Sequence, residues 1–186
     1  MPFRTGARLL VDQLLIQGVN HAFTVPGESF LPVLDALYDS REMVKLIVNR
    51  HESGATFMAE AYAKLTGQPG VAFVTRGPGA TNAAIGVHVA HQDASPLILF
   101  IGQVGNDFIE REAFQEIDYR RMFGQMTKWV AQIDRADRVP EFVARAFQVA
   151  TSGRAGPVVL ALPEDMQTVK ADVGDALCHQ PVLGAP

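Results

Sequence analysis

One cysteine, Cys178, in 186 residues leaves no partner for an internal disulfide and no cysteine cluster for a metal, as expected of a cytoplasmic protein. A basic excess is also missing. Sixteen Lys and Arg against 20 Asp and Glu give a net charge of −4, which excludes the positive patch that nucleic acid requires. No apolar run approaches the roughly 18 residues of a membrane span, and MPFRTGARLL reads as the approach to a polar-punctuated helix rather than as a signal peptide. There is no internal repeat, no low-complexity segment and no Walker sequence. What is present is ordinary globular material, 48% hydrophobic and 19% charged, enough for one domain with a full core and short of two.

The chain alternates between two periods. Strands are expected at His21 to Val25, Val44 to Val48, Gly70 to Thr75, Pro96 to Gln103, Lys128 to Ile133 and Pro157 to Leu162. Helical spacing separates them. Thr5 can cap the first helix, which stops at Gly18, and Pro140 sits in the first turn of the helix from Arg138 to Thr151. An amphipathic helix is expected near Ala113 to Arg121, with Phe114, Ile117 and Phe123 as its buried side. Near-continuous apolar strands alternating with helices predict an α/β fold: a doubly wound, six-stranded parallel sheet with helices on both faces. PLILFIGQ, the most apolar strand, belongs at its centre. After Pro163 the pattern fades, so residues 1–165 are expected to form the domain and 166–186 a linker or tail without a strand.

The stretch LIVNRHESGATFMAEAYAKLTGQPGVAFVTRGPGATN, from Leu46 to Asn82, is the chemically informative one. Its lone acid, Glu52, stands where a strand has just ended and a small-residue helix begins. In an open α/β sheet that is the carboxyl edge, where ligands bind. Gly54, Ala55, Gly77, Gly79 and Ala80 carry almost no side chain, so something could lie against backbone there. An exposed acid that merely favours a helix start is the other reading of Glu52. GPGATN is half of a dinucleotide fingerprint, outside the first strand–helix unit and without its last glycine. PGESF resembles a nucleophile elbow but has Leu31 at the second glycine. His88, His91 and Asp93 have partial metal spacing and need a further ligand; satisfied helix-end histidines explain them as well.

Taken together, GVNHAFTVPGES, RHESGATFMAEAYAKLTG, GVAFVTRGPGATNAAIGVHVAHQDASPLILFIGQV and FQEID resemble the N-terminal, pyrimidine-binding domain of thiamine-diphosphate enzymes, in the acetolactate synthase branch. The similarity runs from about Gly6 to Pro163. It implies that Glu52 hydrogen-bonds N1′ of the cofactor's aminopyrimidine ring, favouring the form in which the cofactor's own amino group takes the thiazolium C2 proton. It implies further that Pro26 and Gly27 approach the ring. Thr75, Pro78, Gly79 and Asn82 would line the pyrimidine pocket, and Gln115 would face the thiazolium. For a carboxyl to share a proton in this way its surroundings should be apolar and dry once covered.

The resemblance also says what should lie elsewhere. No Gly-Asp-Gly…Asn motif is present, so diphosphate and Mg²⁺ would be held by a separate C-terminal domain, and this chain holds no metal ligands of its own. A flavin such as FAD in a middle domain is left open. The simplest expectation is a domain of a longer carboligase or decarboxylase acting on 2-oxo acids, inactive alone and paired as a homodimer through pyrimidine-binding domains. A separate pyrimidine-domain subunit of a two-subunit 2-oxo-acid decarboxylase, served by a diphosphate-binding subunit, is the alternative, and a non-catalytic binding module a third. Arg76, where relatives have a small residue, and Glu28-Ser29, in place of a second glycine, depart from the pattern near the mouth of the site. The paired histidines of pyruvate decarboxylases are missing, which favours carboligation.

Overall fold

The computed structural model describes residues 3–179. A two-residue strand β1 (Arg4–Thr5) leads into α1 (Gly6–Ile16), whose first turn is capped by Thr5 accepting the Arg8 N–H. The alternation then runs β2 (His21–Thr24), α2 (Leu31–Asp39), β3 (Lys45–Val48), α3 (Glu52–Thr66), β4 (Gly70–Val74), α4 (Pro78–Gln92) and β5 (Leu97–Gln103). Beyond it come α5 (Tyr119–Phe123), β6 (Trp129–Gln132), α6 (Val139–Thr151), β7 (Val158–Pro163), α7 (Glu164–Thr168) and β8 (Lys170–Ala171). Strands β2 to β7 form one sheet in the order β3-β2-β4-β5-β7-β6, with every neighbouring pair parallel.

The period-2 pattern of the strands builds two cores. Val71, Phe73, Ile98, Phe100, Val158 and Leu160 face α1, α2 and α6, while Ala72, Val74, Leu99, Ile101 and Val159 face α3, α4 and α5. Phe73 stacks on Phe100 at 4.9 Å between ring centroids. Strand β5, flanked by β4 and β7, is buried along its whole length. The doubly wound sheet expected from the sequence is the one observed.

The sheet order creates a switch point. From β2 the chain steps outward to β3, and from β4 it steps the opposite way to β5. The segments leaving the carboxyl ends of β2 and β4 therefore diverge and open a crevice, the usual ligand position of such folds.

Two segments differ from expectation. Residues 113–118 are not helical; α5 begins at Tyr119, capped by Asp118 accepting the Arg120 and Arg121 N–H groups. Phe114 points outward at 72% exposure, while Tyr119 and Phe123 supply the buried side. Charged residues at helical spacing suggested the longer helix, but Glu110, Glu112 and Gln115 have φ of 62°, 54° and 65°, which no helix tolerates. After Pro163 the chain is not without a strand: β8 pairs antiparallel with β1, and residues as far as His179 lie along α1. Gln13 exchanges two hydrogen bonds of 3.0 Å with the backbone of Ala176, and Gln17 bonds Leu177 O and the His179 N–H. Beyond Val173, which packs against the core, polar ties hold this segment: the two glutamine amides, and Arg4, which bonds Val173 O and pairs with Asp175, so it carries no hydrophobic period.

Candidate functional site

Glu52 is placed by the end of β3. The Asn49 N–H bonds Thr24 O at 2.7 Å and keeps the chain beside β2. His51 is then extended and caps α3 through its Nδ1, which accepts the Ser53 N–H. Glu52 is thus the first residue of α3, half-buried, where the helix dipole favours a carboxylate. Helices α3 and α4 cross closely. A Cβ at Gly86 would stand 2.2 Å from Thr56 Oγ1, and that hydroxyl reaches Ala83 O at 3.2 Å. The crossing brings Asn82 to Glu52, where its Nδ2 donates to Oε2 at 3.0 Å. Oε1 receives no hydrogen bond from any described residue and faces Gly79, whose added Cβ would lie 3.4 Å away.

Thr75 ties the rest of the cluster together. Its hydroxyl bonds Ser29 Oγ at 2.8 Å. A Cβ at Gly27 would stand 2.5 Å from Thr75 Cβ, and one at Gly79 would stand 2.8 Å from Thr75 Cγ2. The two glycines therefore let the loop after β2 and the start of α4 close onto Thr75, so at Gly79 the space read as room for a ligand is partly occupied by the Thr75 side chain. Gly27, Glu52, Thr75, Gly79 and Asn82 come together. Pro26 and Pro78 flank them with exposed side chains.

Gln115 joins through Gly77. That glycine has φ 55° and ψ −110°, and a Cβ there would stand 2.7 Å from Gln115 Cβ. Its N–H donates to the Tyr119 hydroxyl at 3.1 Å. Burial pushes the Tyr119 phenol up to about 12, opposed by the Gly77 hydrogen bond and the Arg76 charge and reinforced by Glu116. Glu116 organises the loop itself, its Oε1 accepting the Glu110 N–H at 2.7 Å and its Oε2 the Ala113 N–H at 3.3 Å.

Sequence reasoning did not find Glu116 or Tyr119, and it met Ser29 as a departure from the family pattern. Each acts on backbone or on a single hydroxyl, which leaves no mark in hydrophobic periodicity. Arg76 was visible only as a departure from the family pattern. His88 is exposed and Asp93 is bound by Lys64; among the described residues no group of three His, Cys, Asp or Glu is placed to hold a metal.

A parallel sheet with a switch point, carrying at its carboxyl edge an acid that begins a helix beside a Gly-Pro-Gly turn, is a doubly wound α/β domain with its candidate site at that edge. The chain belongs to the family described as thiamine pyrophosphate enzyme, N-terminal TPP binding domain, whose profile matches residues 4–122. It is 44% identical over 163 residues to the mitochondrial acetolactate synthase catalytic subunit of Aspergillus candidus, covering 88% of this chain and 23% of that protein. It is 42% identical over 168 residues to the probable acetolactate synthase large subunit of Methanocaldococcus jannaschii, covering 90% and 28%. It is likewise 42% identical over 168 residues to the acetolactate synthase isozyme 2 large subunit of Escherichia coli K12, covering 90% and 30%. The chain thus spans less than a third of the length of these relatives.

Proposed function

We propose that this domain binds the aminopyrimidine ring of thiamine diphosphate and that Glu52 is the residue that activates it. The observation that carries this reading is the asymmetry of the Glu52 carboxylate. Asn82 fixes Oε2, while Oε1 faces the Gly79 turn and receives no hydrogen bond from any described residue. One anchored and one open oxygen suit a ring nitrogen that must share a proton. Thiamine diphosphate, when bound, supplies the electron sink for making and breaking bonds next to a carbonyl carbon. The chain's own residues do the rest. Asn82 orients Glu52, Glu52 holds the proton at the ring nitrogen, and Thr75, Gly79, Pro78, Pro26 and Gly27 form the surroundings. Gln115 presents its amide towards the reacting groups.

In this reading the pyrimidine-binding domain, expected over residues 1–165, also takes in α7, β8 and the segment to His179, and the chain beyond leads towards a middle domain. Another domain holds diphosphate and Mg²⁺, and FAD is a further candidate cofactor, in the middle domain. Two copies pair through this domain. The parent enzyme is a cytoplasmic carboligase of acetolactate synthase type acting on 2-oxo acids; the relatives' names support the acetolactate synthase type, and one of those relatives is mitochondrial. Among the described residues no helix is long and apolar enough to cross a membrane.

The test combines this chain with a purified diphosphate-binding domain from the same genome, thiamine diphosphate, Mg²⁺ and a 2-oxo acid. Turnover that Glu52→Gln abolishes, without loss of fold by circular dichroism, is expected. Normal turnover in that variant removes Glu52 from the role.

A further inference from the structure

The segment carrying Gln115 has little packing to hold it. Phe108 and Phe114 point outward at 60% and 72% exposure, and a cavity of about 280 Å³ lies beneath it, lined by Gln103, Glu116, Ile117, Tyr119 and Gln132 among others. Three non-glycine residues between 110 and 115 have φ in the left-handed region, a conformation that persists only where neighbours enforce it. Polar ties must therefore fix where Gln115 stands.

Arg76 supplies the tie that reaches farthest. Its side chain is only 10% exposed and is shared by three segments. Nε donates to Phe114 O at 3.1 Å, one residue before Gln115. Nη2 pairs with Glu28 at 3.2 Å, in the turn after Pro26-Gly27, and Nη1 pairs with Glu164 at the start of α7. The next residue, Gly77, is the one pressed against Gln115. We propose that Arg76 is the positioning residue for Gln115, locking its loop to the turn after β2 and to α7 at the mouth of the site. The guanidinium is suited to this because its planar fork offers donors in three directions, where a lysine ammonium is a single point charge. Both of its carboxylate partners are in use, so Arg76 serves as a fastener and not as a receptor for an anionic substrate. That Gln115 meets the reacting groups rests on the reading under Proposed function; the fastening does not.

The test is amide hydrogen exchange by mass spectrometry on this chain, comparing wild type, Arg76→Lys and Glu164→Gln. In Arg76→Lys, exchange across 109–117 and 26–30 is expected to rise about tenfold while peptides of β4 and β5 stay protected. Glu164→Gln should give a smaller rise in the same peptides, and it keeps the test usable if the arginine variant unfolds. Unchanged exchange at 109–117 in both variants, or a rise shared equally by β4 and β5, overturns the proposal. In enzyme assembled with the diphosphate-binding domain, Arg76→Lys should lower kcat with KM little changed. Loosened exchange with kcat intact would remove Gln115 from the reaction while leaving Arg76 as its fastener.

Discussion

Tyr119→Phe probes the geometry behind Gln115 through one effect present at neutral pH and one that appears only as the phenol ionises. The Tyr119 hydroxyl accepts the buried Gly77 N–H, and phenylalanine leaves that donor unpaired at a cost of about 1–3 kcal/mol at neutral pH. The phenol is itself a stability term. Its pKa is raised from 10.0 to about 12, first by burial, so the folded state favours the protonated form. That preference is fully present below pH 10 and is lost as pH rises through 12, removing about 2 kcal/mol by pH 12. Wild type should therefore be the more stable protein at pH 7. Its advantage should shrink above pH 10 and vanish or reverse near pH 12, because the variant has no phenol at 119 to ionise. Urea unfolding of both proteins, followed by circular dichroism from pH 7 to 11.5, measures the gap directly. A gap that stays constant across this range would refute the burial argument, and no gap at pH 7 would refute the role given to the hydroxyl.

The helix crossing that joins Asn82 to Glu52 should be intolerant of added volume. Gly86→Ala places a methyl against Thr56 and should cost about 1–3 kcal/mol, read as a lower urea midpoint; an unchanged midpoint contradicts the close crossing. Gln17→Leu removes both hydrogen bonds to the segment at Leu177 and His179. Proteolysis within 172–179 should quicken about tenfold while the thermal midpoint moves little. Equal cleavage rates would show that the glutamines do not hold it.

Glu52 was legible because two periods meet at it. The apolar run Leu46, Ile47, Val48 ends just before it, a helical face begins after it, and the carboxyl edge of a parallel sheet follows from the fold class alone. Its partner Asn82 was legible only through the family motif, since 30 residues separate them and their meeting depends on how closely Thr56 and Gly86 let two helices approach. The 104–118 segment was the least legible. Its charged residues at helical spacing look like a solvated helix face, yet Glu116 turns inward to hold two backbone N–H groups and wraps the chain around its carboxylate. The segment after Pro163 was misread for a similar reason, its far end being held by Gln13, Gln17 and Arg4 side chains that bond its backbone. Hydrophobic pattern reveals what packs; it is silent where side chains bond to main chain.

The most direct test of Glu52 is the rate at which thiamine diphosphate, bound at the assembled site with Mg²⁺ and no substrate, exchanges its thiazolium C2 hydrogen for solvent deuterium, followed by proton NMR after acid quench. Wild type should exchange at least about a hundredfold faster than Glu52→Gln at equal cofactor occupancy. Equal rates in the two proteins would contradict the assignment of Glu52 as the activating residue.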